Sequence, residues 1–111
     1  MGLDQYIYAI NNNNGEKQEI YYWRKNYHLH KWIEDLYKSK NDRDIDIYMN
    51  IFLDKEDIEK LENDVNNNMS GDINNFFGEY DQYDKILDLK FIEIAYKYLN
   101  NNFQIYYSAS W

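Results

Sequence analysis

The sequence predicts one α+β domain: a small antiparallel four-stranded sheet, with a mixed sheet as the alternative, and about three helices packed on one of its faces, in the order β-β-α-β-α-α-β. Three observations carry that prediction. β-Branched and aromatic segments stand at both ends of the chain, an apolar stripe of helical period follows Trp23, and asparagine runs at Asn11 to Asn14, Asn66 to Asn68 and Asn100 to Asn102 punctuate what lies between. Asparagine tolerates turn conformations, so these runs mark loops. At 111 residues the chain suffices for one core and is too short for two, which makes residues 1–111 a single domain.

Leu3 to Ile10 (LDQYIYAI) and Glu19 to Trp23 (EIYYW) are β-prone and flank NNNNG, the pattern of a hairpin across an Asn-Gly turn. Beyond Trp23 the period changes. Leu29, Trp32, Ile33, Leu36 and Tyr37 recur at helical spacing, giving a helix that runs to about Ser39. The polar linker KSKNDRD leads into a third strand, Ile45 to Leu53. Asp54 can then cap a second helix, with Asp57 as the capping-box acid and Leu53 and Ile58 as the hydrophobic staple; Ile58, Leu61 and Val65 form its apolar face. After a loop around INNFFGEYD, a third helix starts at Asp81 or Asp84. Its expected apolar face is Ile86, Leu87, Phe91, Ile94, Ala95, Tyr98 and Leu99, with Lys85, Asp88, Glu93 and Lys97 opposite. FQIYYSASW closes the chain as the fourth strand.

Rings must supply much of the core, because 19% of the residues are aromatic and 13 of them are Tyr. Tyrosine hydroxyls need partners when buried, so a tyrosine-rich surface groove is expected as well. The net charge of -8 argues against direct binding to nucleic acid or anionic lipid and suits a basic protein groove. The absence of cysteine excludes disulfides and thiolate metal sites and fits the cytoplasm. No apolar run reaches the roughly 18 residues of a membrane span, and no signal-peptide pattern opens the chain.

Metal and nucleotide motifs fail on spacing. His28 and His30 would share an ion on a strand, but on a helix residues two apart point about 200° away from each other, so no metal site is assigned. Asp42, Asp44 and Asp46 alternate as in a calcium loop, yet Ile47 and Leu53 stand where glycine and glutamate are required. No phosphate-cradling glycine motif and no nucleophile elbow occurs, and no cofactor is assigned. A second stripe of the first helix is more informative: Trp23, Tyr27, His30, Glu34 and Tyr37 fall along one edge, with Arg24 and Lys25 at the entry, where free backbone N–H groups favour an anion. Rings and cations so placed could stack a planar or phosphorylated ligand. The structural alternative has Trp23 and Tyr37 closing the core edge and His30 satisfied and half-buried.

Four blocks also carry a resemblance. Met1 to Asp4, Tyr22 to Lys25 with His30 and Trp32, Phe76 to Gly78 with Tyr80 and Asp81, and Tyr106, Tyr107, Ser110 and Trp111 together resemble a family of small uncharacterised bacteriophage and prophage proteins. They cover about a third of the chain in order; the stretch from Asn41 to Ser70 has no matching pattern. The resemblance supports His30 and leaves His28 as a surface residue. It implies a phage origin in a bacterial host, and small acidic phage proteins often resemble inhibitors of host defence, including anti-CRISPR proteins.

The expectation is therefore a non-enzymatic counter-defence protein that binds a host defence or nucleic-acid-processing protein, such as a nuclease with a basic groove, through an acidic, Tyr-rich surface. Trp23, Arg24, Lys25, Tyr27, His30, Glu34, Tyr80, Asp81 and Trp111 are its candidate binding residues, and a homodimer is compatible with the sequence. One alternative is a sponge for a small nucleotide or phosphorylated signal, held by Trp23, Arg24, Lys25, His30 and Trp111. Another is a small hydrolase with His30 as general base and Asp81 or Glu34 as its partner.

Overall fold

The computed structural model describes residues 2–70 and 77–111. Met1 and Phe76 of the motif blocks, and the expected loop from Ile73 to Phe76, lie outside the described residues. Among the described residues the elements are β1 (Asp4–Asn11), β2 (Lys17–Arg24), α1 (Tyr27–Asn41), β3 (Ile51–Leu53), α2 (Lys55–Asn66), α3 (Gln82–Leu99) and β4 (Phe103–Ser110). The sheet has the order β2-β1-β4-β3 with every neighbouring pair antiparallel. The expected α+β order is thus the observed one.

Strand alternation divides the sheet into two faces. Gln5, Ile7 and Ala9 of β1, Ile105, Tyr107 and Ala109 of β4, and Ile51 and Leu53 of β3 are buried under the helices. From α1 they meet Leu29, Trp32, Ile33 and Leu36; from α2 Ile58, Leu61 and Val65; from α3 Phe91, Ile92 and Ala95. Each aliphatic side chain removed from water in this way contributes about 1.5–3 kcal/mol.

The loops follow from asparagine chemistry. Gly15, at φ 75°, closes the β1–β2 hairpin with its N–H donating to Asn11 O at 2.7 Å. Asn12 Nδ2 donates to Asn102 Oδ1, and Asn102 Nδ2 donates to Asn13 Oδ1, so the first and last Asn runs zip two loops together. At α2 the capping box forms as expected: Asp57 N–H donates to Asp54 Oδ1 at 2.8 Å, and Asp54 N–H to Asp57 Oδ2 at 3.0 Å. Leu53 and Ile58 beside it are both fully buried.

Two expectations are corrected. The third strand covers Ile51–Leu53 rather than starting at Ile45, because Tyr48 takes a left-handed φ of 59° and a turn links Met49 N–H to Asp46 O. In α3 the buried face is Asp88, Phe91, Ile92 and Ala95, whereas Ile86 is 65% exposed. The helix is rotated from its most apolar orientation because Asp88, expected on the solvent side, turns inward to accept hydrogen bonds from Tyr80 Oη and Asn26 Nδ2.

Asp57 also accepts from Lys40 Nζ at 2.7 and 2.6 Å, tying α2 to the end of α1. Asp57→Ala removes half of the capping box and this tie together. The expected loss is about 1–2 kcal/mol in a urea unfolding curve with unchanged m value, with Asp57→Asn losing less.

Candidate functional site

At the end of the sheet where β1 begins and β4 finishes, Gly2, Leu3, Tyr27, His30, Glu34 and Trp111 line an open cleft of about 360 Å³. The start of α1 supplies Tyr27, His30 and Glu34 on one edge, spaced i, i+3 and i+7. Trp111, just past β4, lays its ring 5.1 Å from the imidazole of His30 at a 60° tilt. Tyr27 also lines the cleft, 45% exposed and stacked on Phe77 with ring centres 6.0 Å apart.

A buried chain of hydrogen bonds sets the state of His30. Asn26 N–H donates to Gln5 Oε1 at 2.8 Å, and Gln5 Nε2 donates both to Asn26 O at 2.9 Å and to Tyr107 Oη at 3.1 Å. Since its oxygen already accepts from Gln5, the Tyr107 hydroxyl has its own proton free to donate to His30 Nδ1, 2.7 Å away. Burial lowers the His30 pKa to about 4, so the ring is neutral near pH 7. With Nδ1 accepting, the ring proton sits on Nε2, towards Glu34. Glu34 Oε2 is 4.0 Å from that nitrogen, too far for a hydrogen bond, and a neutral ring makes no ion pair with it. Burial also raises the Glu34 pKa.

Four candidate binding residues, Tyr27, His30, Glu34 and Trp111, meet in this cleft, and the others lie elsewhere. Trp23 is on β2, not on the helical stripe, and is buried against Tyr21 and Phe91 at ring separations of 4.7 and 5.0 Å. Its indole N–H is buried without a hydrogen-bond acceptor at standard geometry, yet it lies near enough to Asp88 to favour the carboxylate. Tyr80 is buried and donates to Asp88, so it is a core residue and not a surface contact. Asp81 caps α3, accepting from Tyr83 N–H at 2.6 Å. Tyr37, part of the expected stripe, packs on the core and accepts from Arg43 Nε.

At the entry of α1, Asn26 Oδ1 accepts from Leu29 N–H. Arg24 is exposed and acts on Tyr22, while Lys25, at φ 60°, donates its N–H to Leu3 O. The Lys25 side chain runs beside Gly2 at the edge of the cleft, while the cleft lining itself includes neither cation. His28, expected at the surface, is buried; its Nε2 donates to Gly78 O at 2.9 Å, and its ring packs on Tyr80. The two imidazoles thus serve unrelated partners. Gln5 and Tyr107, which fix His30, were missed, although a polar amide alternating with Ile7 and Ala9 on a core-facing edge was visible in the sequence.

The second surface feature is the uncovered face of the sheet. Tyr22 of β2, Tyr6 and Tyr8 of β1, Tyr106 of β4 and Phe52 of β3 share it across the four strands. Tyr6 lies 6.2 Å from Tyr8 and 5.3 Å from Tyr22, and Phe52 lies 5.6 Å from Tyr106. Tyr48, 66% exposed, reaches the same face next to Tyr6. Charges are balanced there: Asp4 accepts from Tyr22 Oη and pairs in register with Arg24, and Lys17 sits over the ring of Tyr8 at 4.3 Å. Among the described residues no helix is long and apolar enough to cross a membrane, and no group of three or more His, Asp or Glu is placed to hold a metal ion.

Two buried groups pull stability in opposite directions with pH. His30 holds its proton less tightly folded, at about 4, than at its ordinary 6.5, so stability is lost as pH falls through that window. Asp88, raised from 3.8 to about 7 by burial that the Tyr80 and Asn26 hydrogen bonds only partly offset, loses stability as pH rises through its own window. Glu34 and Asp84, also raised by burial, add to the Asp88 trend. Thermal melts at pH 4.5, 5.5 and 6.5 are expected to change little for the unmodified chain. In His30→Asn the melting temperature is expected to fall with rising pH, and in Asp88→Asn to rise, each with a limiting slope of about 1.4 kcal/mol per pH unit. Identical profiles for the two variants would refute the assignment. In comparisons with protein-family models, curated proteins and solved structures, nothing matches this chain.

Proposed function

We propose that the protein is a non-enzymatic binding protein that docks a protein partner on the open face of its sheet. The observation that carries this reading is the run of exposed and half-exposed rings, Tyr22, Tyr6, Tyr8, Tyr106 and Phe52, on the face opposite the described helices. Tyr and Phe anchor interfaces because they present large, stiff, partly apolar area at little cost in side-chain entropy. A sheet face holds them in fixed register, so the surface is organised before a partner arrives.

The partner favoured by charge is a protein with a basic rim. The chain carries a net charge of -8, and exposed acids at Asp42, Asp44 and Asp46 lead directly into Tyr48 at the edge of the ring face. The resemblance to phage and prophage proteins supports a host defence or nucleic-acid-processing protein as that partner, met in the cytoplasm of a bacterial host.

Tyr22 and Phe52, 46% and 44% exposed, can be changed without opening the core. Affinity capture from a bacterial host lysate at moderate salt is expected to retain a basic host protein. The Tyr22→Ser/Phe52→Ser variant is expected to weaken that capture at least tenfold with its melting temperature nearly unchanged. A variant that captures the same protein equally well would remove the sheet face from the interaction.

A further inference from the structure

The cleft around His30 offers a donor and an acceptor side by side. The Gln5–Tyr107–His30 chain consumes the Nδ1 lone pair, leaving a neutral ring with its N–H on Nε2; Glu34 Oε2 stands 4.0 Å away. The donor is held rigidly, because the His30 side chain is only 13% exposed, whereas Glu34 at 41% is free to adjust. Trp111 and Tyr27 bound the space with rings 48% and 45% exposed, Trp111 leaning on His30 and Tyr27 stacked on Phe77. A larger cleft of about 550 Å³ lies between β2 and the end of α3, but its charged lining among the described residues is Glu19 and Lys97, both exposed. It has no buried donor that a ligand would have to satisfy.

These constraints select a ligand. A free cation would meet the Glu34 carboxylate but also the N–H of His30, and an anion would meet the N–H but also the carboxylate. A planar uncharged group with an acceptor beside a donor satisfies both at once, and its faces match the flanking rings. The volume is at the small end of ligand pockets, enough for a one- or two-ring heterocycle. We propose that this cleft binds a planar uncharged heterocycle of the nucleobase class, whose ring-nitrogen or carbonyl acceptor takes the His30 Nε2–H and whose adjacent N–H donates to Glu34, with Trp111 and Tyr27 packed against its faces. Every common base presents such an edge, so the geometry assigns the class and not the base. The site lies at one end of the sheet among residues of the helix side and is independent of the docking reading above.

The test is a titration of the ¹⁵N-labelled chain with adenosine, guanosine, cytidine and uridine near pH 7, following the Trp111 indole and the His30 and Glu34 amides. At least one nucleoside is expected to give saturable shifts confined to the cleft. If uridine binds, 3-methyluridine, which lacks the ring N–H, is expected to bind at least tenfold more weakly; 1-methylguanosine serves the same purpose for guanosine, and the N-dimethylated forms for adenosine and cytidine. Glu34→Ala and Trp111→Ala, at a half-buried and an exposed position outside the core, are each expected to weaken binding about tenfold while the amide spectrum stays folded. The proposal is overturned if none of the four nucleosides shifts the cleft resonances at millimolar concentration, or if the methylated partner and Glu34→Ala leave affinity unchanged.

Discussion

A buried asparagine must have every polar atom satisfied, and meeting that demand at Asn26 organises this protein. Only 1% exposed, Asn26 uses its side-chain oxygen to cap α1 and its side-chain amide to reach Asp88 on α3; its backbone N–H and C=O clasp the Gln5 amide on β1. Four elements are thus indexed to one residue, because Gln5 passes the network on to Tyr107 of β4. An unsatisfied buried group costs about 1–3 kcal/mol, so each element is fixed in rotation and height as well as in contact. This explains why α3 presents Asp88 inward and Ile86 to water, an orientation its apolar pattern alone would not choose. It also explains why the imidazole of His30 has one proton position.

The same alternation that builds the core builds the second surface. Tyr21 and Tyr22, and again Tyr106 and Tyr107, are adjacent in the sequence and point to opposite faces of the sheet. Tyr21 donates to Leu87 O under α3, and Tyr107 to His30; Tyr22 and Tyr106 instead join the open ring face. Tyrosine suits both places, since its ring packs like phenylalanine and its hydroxyl finds a carbonyl inside or a carboxylate outside. An irregularity in β1–β2 pairing between Ile7 and Tyr8 leaves Ile20 out of the register, so Glu19 and Lys17, not Ile20 and Gln18, stand opposite Tyr8 and Ile10.

Elements that depend on local chemistry were legible in the sequence, and those that depend on distant partners were not. The capping box at Asp54 and Asp57, the Asn-Gly hairpin and the helical face of Leu29, Trp32, Ile33 and Leu36 need only neighbours in the chain, and all stand as read. Trp23 was placed on a helical stripe because its spacing from Tyr27 fits; the left-handed turn at Lys25 and the cap at Asn26 break that continuity, and no pattern of apolar residues announces them. Asp88 is expected in solvent from its place opposite the apolar face and His28 from the resemblance, yet each is matched by a group far away in sequence, Asn26 Nδ2 and Gly78 O. Of the candidate site, the members on one turn-spaced edge, Tyr27, His30 and Glu34, were found together. Trp111 came from the other end of the chain, and Gln5 and Tyr107, which give His30 its chemistry, were hidden as ordinary strand residues.

The distribution of charge separates two tasks that composition merges into one number. The open ring face is nearly balanced, with Asp4 against Arg24 and Lys17 over Tyr8, while exposed acids gather on the helices and on the loop before β3, at Asp35, Glu56, Glu59, Asp42, Asp44 and Asp46. Charges outside a contact area act over about one Debye length, roughly 8 Å at physiological salt, and mainly raise the rate of encounter. Rings inside the contact area are desolvated and govern how long a complex lasts. In the docking proposed above, a basic partner would be drawn in by acids at the edge of the ring face and held by the tyrosines, so added salt would slow its arrival far more than it hastened its departure. A surface that was itself acidic would have to desolvate those carboxylates on binding; the acids of the loop before β3, beside the ring face and not within it, keep their attraction and avoid that cost.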